Sequence, residues 1–139
     1  MIAVDTNVLV YAHREEFPLH SKARDRIGQL AEGAAPWGVP VFCLGEFVRV
    51  VTHRRVLKPP SSLQQALAFA DALTTSESFR LLIPDEAFWA ELRAMLTASR
   101  ATGNLAFDAQ IAAVCIRHGA TLLTHDRDFA RFEIQTQAL

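Results

Sequence analysis

Four acidic side chains stand where burial makes a charge costly: Asp5, Glu46, Asp108 and Asp126. Asp5 interrupts the stretch IAVDTNVLVY, with apolar residues on both sides. A carboxylate in such surroundings is unfavourable unless something pairs with it. At helical spacing the neighbours of Glu46 are Phe42, Cys43, Arg49 and Val50, three of them apolar. Asp108 has Asn104, Leu105, Ile111 and Ala112 at those spacings, and no cation. Asp126 follows the apolar stretch ATLLT by two residues. Glu32, Glu77, Glu86 and Glu91, in contrast, have ordinary surface surroundings.

Each acid has a plain structural explanation when taken alone. An Asp after a strand commonly caps a helix or turn. Glu46 can pair with Arg49, and Asp108 can serve the dipole of a helix near its start. Explaining all four together is harder. Carboxylates gathered in one pocket repel each other, and some must hold protons unless a counter-charge is supplied. A divalent cation supplies it, and an all-oxygen ligand set suits Mg²⁺ or Mn²⁺. A site of that kind activates water and stabilises charge developing on a phosphoryl group.

Gathering the acids requires a fold that aims them at one place. Ile2–Val4 reads as a short strand, followed by a helix to His13 with Thr6 or Asn7 as its cap. Ser21 caps a second helix reaching about Glu32 and closed by Gly33. AAPWGVPV reads as a loop holding a short second strand, whose limits Pro36 and Pro40 leave undefined. Helical spacing resumes from Val41 to His53, and Lys58-Pro59-Pro60 breaks it. Ser61 or Ser62 caps a helix through Leu73, and SFRLLIP, residues 78–84, reads as a strand. Asp85 caps a helix over Glu86–Ser99, and Leu105–His118 forms another, ended by Gly119. A strand at 120–124, a short helical turn in HDRDFARF and a last strand in FEIQT complete the chain. Strands alternating with helices predict an α/β fold with a mainly parallel sheet. In such sheets ligands collect beyond the carboxyl ends of the strands. Asp5 and Asp126 both lie there, provided their strands are parallel neighbours.

Bulk properties narrow the classes. The 139 residues suggest one domain, 1–139, long enough for a full core. Half are hydrophobic and 21% are charged, as in ordinary globular proteins. No apolar run approaches a membrane span, and the start lacks a signal-type segment, so a cytoplasmic protein without membrane contact is expected. Cys43 and Cys115 lie in apolar helical segments outside any CxxC pattern, which predicts buried thiols rather than a zinc site. With a net charge of −1, any nucleic-acid partner must be met by a local patch.

The stretches VDTNVLVYA, LGEFVRVVT, GNLAFDAQIAAVC and LLTHDRDF, in this order, resemble the PIN-domain ribonucleases, more narrowly the toxins of VapBC-type toxin–antitoxin pairs. The resemblance covers nearly the whole chain. It implies a PIN-like domain with a sheet of about five strands between helices. It implies that Asp5, Glu46, Asp108 and Asp126 form an acidic quartet holding Mg²⁺ or Mn²⁺. Thr6, Asn7 and Thr124 match polar positions that orient the acids or a water at the metal, and Asp128 resembles an accessory acid. The implied activity is metal-dependent hydrolysis of RNA phosphodiester bonds, with a small antitoxin as protein partner and a homodimer as the common assembly. His125 stands where small or amide residues are also common, and is expected to be a spacer.

RNA needs local positive charge. Arg49, His53, Arg54, Arg55 and Lys58 cluster after Glu46, and Arg49 and His53 share its helical face. Arg49, Arg54 and Arg55 are the expected RNA contacts. A haloacid-dehalogenase-type phosphatase would need a second Asp where Asn7 stands, and a receiver domain would need a late lysine that Leu105–Phe132 lacks. The alternative left open is a non-catalytic PIN-like module that only binds RNA or a partner.

Overall fold

A computed structural model describes residues 1–139. Five strands form one sheet: β1 (Ile2–Val4), β2 (Trp37–Pro40), β3 (Phe79–Leu82), β4 (Thr121–Thr124) and β5 (Thr136–Ala138). Their order is β3-β2-β1-β4-β5, and every neighbouring pair is parallel. Six α-helices connect them: α1 (Thr6–His13), α2 (His20–Glu32), α3 (Val41–Val51), α4 (Leu63–Thr74), α5 (Phe88–Ser99) and α6 (Asn104–Arg117). A 3₁₀ helix spans Arg127–Phe132. No helix is long and apolar enough to cross a membrane.

Burial explains the order. β1, β2 and β4 carry near-continuous apolar runs because helices cover both faces of a parallel sheet, and Ala3, Val4, Trp37, Val39, Leu122 and Leu123 are fully enclosed. The edge strands β3 and β5 are polar or exposed over most of their length. The chain winds outward from β1 through β2 to β3, then returns to place β4 on the other side of β1. The direction of winding therefore reverses between β1 and β4, where α/β sheets open a crevice at their carboxyl ends. Asp5 follows β1 directly, and its backbone N–H extends the ladder to the Leu123 carbonyl at 3.0 Å.

β2 and β3 come close at Gly38, where a Cβ would lie 2.2 Å from the Arg80 carbonyl oxygen. Gly38→Ala is therefore expected to force these strands apart and lower stability by roughly 1–3 kcal/mol. Urea unfolding with an unchanged m-value would register that loss.

Several expected boundaries move, each for a local reason. Asp5, rather than Thr6 or Asn7, caps α1, its Oδ1 accepting the Thr6 N–H at 2.7 Å. α2 starts at His20 without a side-chain cap, so Ser21 lies inside it. α3 stops at Val51, two residues before His53. Ser62 caps α4 in a reciprocal box with Gln65, as its Ser-x-x-Gln spacing allows. Asp85 does not cap α5, which begins at Phe88; its carboxylate instead binds Arg117 of α6 at 2.7–3.2 Å. The last strand is Thr136–Ala138 rather than 132–136, because Phe132 is buried in the 3₁₀ helix. Both cysteines are free and buried.

Candidate active site

Each acid arrives by a different element at the β1/β4 crevice. β1 delivers Asp5 at its carboxyl end, and the loop after β4 delivers Asp126. α3 begins directly after β2 and carries Glu46 on its second turn, while Asp108 sits in the first turns of α6. Asp5, Glu46, Asp108 and Asp126 line one cavity of about 230 Å³, together with Thr6, Asn7, Val10, Tyr11, Val50 and Phe129. A larger cavity of about 590 Å³ lies between the end of α1 and the start of α4. Its polar groups bind one another, Arg14 donating to Ser61 Oγ and to the Pro59 carbonyl.

The polar residues around the acids hold them in place. Asp5 Oδ2 accepts from Thr124 Oγ1 at 2.6 Å and from Asn7 Nδ2 at 2.8 Å. Together with the cap to Thr6, these bonds occupy three of the carboxylate's four acceptor positions. The fourth is faced only by the Cys43 thiol, 3.9 Å from Oδ1. Thr6 Oγ1 donates to Glu46 Oε2 at 2.8 Å, so neighbouring residues of α1 steady two different acids. Thr124 Oγ1 also accepts the Asp126 N–H at 3.0 Å and thereby ties the β4 loop to Asp5. Asp126 caps the 3₁₀ helix through Oδ1, which accepts the Asp128 N–H at 2.8 Å. Asp5 and Asp126 thus each cap a helix and line the cavity at once.

Carboxylate oxygens of Asp108, Asp126 and Asp128 all lie within 4.8 Å of one another. Asp128 is exposed and does not line the cavity, yet it stands beside these two acids. None of the three forms an ion pair; the salt bridges of the chain are Arg14–Glu16, Arg49–Glu46 and Arg117–Asp85. Asp5 also lacks a cation. Burial raises its pKa to about 6 despite the bonds from Thr124 and Thr6, and Glu46 and Asp108 add repulsion. Asp108 also rises to about 6, through burial first and then through Asp126, Glu46 and Asp128. Burial and like-charge neighbours that raise carboxyl pKa values are found most often at functional sites.

Of the residues expected to meet RNA, Arg49 reaches Glu46 Oε1 at 3.5 Å and is largely exposed. Arg54 and Arg55 lie exposed in the turn after α3 and do not line the cavity. The apolar residues of the lining, Val10, Tyr11, Val50 and Phe129, were not among those expected at the site. Helical spacing offered a signal for two of these, since Val10 and Tyr11 follow Asn7 by three and four residues on α1.

Comparison with known proteins agrees with this geometry. The sequence model of the PIN domain family matches residues 2–135. Ribonuclease VapC43 of Mycobacterium tuberculosis is 42% identical over 132 residues, 95% of this chain and 90% of the relative. Ribonuclease VapC31 of the same species is 34% identical over 95% of this chain and 93% of its own. Among solved structures, VapBC2 from Rickettsia felis, bound to a DNA fragment from its promoter, superposes with a TM-score of 0.74 at 18% identity, covering 100% of this chain and 99% of that one. The M. tuberculosis VapC20 toxin, described as cleaving the sarcin-ricin loop, superposes with a TM-score of 0.70 at 20% identity over 96% of both chains. With its sheet order, its crevice of acids and these relatives in agreement, the chain belongs to the PIN domain family, within its VapC group.

Proposed function

We propose that this chain is a metal-dependent endoribonuclease, the toxin of a type II toxin–antitoxin pair, acting as one domain over residues 1–139. The observation that carries the reading is the set of acids without cations at the switch point of the sheet: Asp5, Asp108 and Asp126 have no ion-pair partner, and Asp5 and Asp108 are pushed toward neutral pKa. The relatives named as ribonucleases support RNA as the substrate class, and the solved VapBC complexes support a small antitoxin as partner.

The residues fit a hard divalent cation. Every donor is an oxygen, and three carboxylates approach within 4.8 Å. Asp5, Glu46, Asp108 and Asp126 would hold Mg²⁺ or Mn²⁺, with Asp128 as accessory. The ion would neutralise the acids, lower the pKa of a water and stabilise charge on the phosphoryl oxygens. The chain's own residues perform the rest. Thr124 and Asn7 hold Asp5 in one rotamer, Thr6 holds Glu46, and Thr124 fixes the loop that presents Asp126. Such outer partners typically change metal affinity or activity 10–100-fold.

Arg49, Arg54 and Arg55 form the approach for the RNA backbone. Arg49 can exchange Glu46 for a phosphate, because their 3.5 Å contact is exposed and weak. Neutralising Arg54 and Arg55 together is expected to weaken RNA binding and to flatten the log–log salt dependence by roughly 1.4–1.8. Filter binding over a salt series reads that slope, and an unchanged slope removes the pair from the path. The function itself is tested with total RNA: cleavage with Mg²⁺ or Mn²⁺ that EDTA stops supports it, whereas no cleavage with either ion leaves the binding module.

A further inference from the structure

The acid cavity has an apolar part of its lining that phosphate chemistry does not explain. Val10, Tyr11, Val50 and Phe129 share that lining with the carboxylates. A phosphodiester alone has no use for an aromatic lining, but a nucleobase next to that phosphodiester does. Tyr11 is half-buried, and its hydroxyl is neither buried nor bonded within the chain. Its ring packs against Phe17, with ring centroids 5.2 Å apart. The imidazole of His125 also meets it, with centroids 6.1 Å apart and ring planes at 78°. His125 is exposed, yet its position is set: its backbone N–H donates to Asn7 Oδ1 at 3.3 Å, and Asn7 lies one helical turn before Tyr11 on the same face of α1. The residue that orients Asp5 through its amide nitrogen thus also pins His125 beside Tyr11 through its amide oxygen.

We infer that His125 offers a stacking face beside the acid cavity, with the Tyr11 ring standing roughly perpendicular to it and its hydroxyl free, and that the two form a shelf seating the base of the nucleotide next to the scissile phosphate. The inference rests on the ribonuclease reading and deepens it. Aromatic and imidazole faces stack unpaired bases with little regard to sequence. The free Tyr11 hydroxyl adds one polar contact to a base edge, which makes this shelf a place where base preference is set. RNA would therefore be gripped at two points, the phosphate at the acids and an unstacked base at the shelf. A base held in a duplex cannot reach such a shelf, so the substrate must be unpaired at that nucleotide.

The test compares the four nucleoside 5′-monophosphates with ribose 5-phosphate, which shares the phosphate and sugar but lacks the base, as ligands of the Mg²⁺-loaded protein by calorimetry. The wild type is expected to bind at least one mononucleotide on the order of tenfold more tightly than ribose 5-phosphate. His125→Ala should erase most of that difference, whereas His125→Phe, which keeps a stacking face without a charge or proton, should retain it. Tyr11→Phe should keep the affinity but change the ranking of the four bases. A purely structural role for His125 would lower the melting temperature and leave the mononucleotide-to-sugar ratio alone. Equal binding of nucleotides and ribose 5-phosphate overturns the shelf, as does His125→Phe losing as much as His125→Ala. If either occurs while total RNA is still cleaved, the shelf alone is wrong. If total RNA is not cleaved with Mg²⁺ or Mn²⁺, the ribonuclease reading has failed and the shelf falls with it.

Discussion

Asp108→Asn is expected to lower RNA cleavage by at least about a hundredfold, above the range typical of losing an outer partner of a metal site, and to raise the melting temperature of the metal-free protein. The two halves have one cause. Asp108 makes no hydrogen bond or ion pair within the chain, and it faces Asp126, Glu46 and Asp128. Folding brings it into their field and partly away from water, so its charge opposes folding. An asparagine has the same shape without that charge. Asp108 keeps part of its solvent contact. The gain is therefore on the order of 1 kcal/mol after allowing for screening, or about 3 °C for a chain of this length. Thermal melts in EDTA beside a cleavage assay in Mg²⁺ read both halves. A fall in the melting temperature would instead assign Asp108 a structural role.

The second large effect is the dependence of stability on pH. Asp5 and Asp108 have folded pKa values of about 6 against 3.8 for the ordinary group. The native state therefore binds more protons than the unfolded state between pH 4 and 6. Their stabilisation is complete below about pH 4 and is lost as pH rises through 6. For the fully buried Asp5 the difference reaches about 2–3 kcal/mol by pH 7.5. His13 acts in the opposite sense over part of this window, since burial, aided by Arg14, lowers its pKa. Subtracting the stability curve of Asp108→Asn from that of the wild type cancels the His13 contribution. The difference should grow from near zero at pH 4 to its full value by pH 7.5 in EDTA. Adding Mn²⁺ at pH 7.5 should reverse its sign, because an ion present at a hundred times its Kd stabilises by about 2.7 kcal/mol. A pH-independent difference would mean that Asp108 is not held among like charges.

Much of this was legible in residue types and spacing. Asp5, Glu46 and Asp108 stood out because they lay among apolar neighbours, and Asp126 because it follows an apolar strand whose end a parallel sheet aims at the same edge as Asp5. Asp5, Glu46, Asp108 and Asp126 do line one cavity. What stayed hidden depended on contacts between elements distant in sequence. Nothing local to Asp85 indicates that Arg117 will claim it ahead of the helix cap. Phe132 reads equally well as a strand residue or as a core residue, and packing decides for the core. Asp128 reaches Asp108 and Asp126 because the chain turns into a 3₁₀ helix there, a geometry the spacing of two residues does not announce. The aromatic part of the cavity lining was the least legible. Tyr11 reads as core from its apolar neighbours, and only the fold sets it against His125.

The claim on which the rest depends is that these acids together bind a divalent cation, and a direct titration measures it. Mn²⁺ is added to the metal-free protein at pH 7.5 and followed by calorimetry, for the wild type, Asp5→Asn and Asp108→Asn. The expected result is saturable binding to the wild type, weakened at least tenfold in each variant. Binding of equal strength in all three proteins, or none in the wild type, would contradict the account.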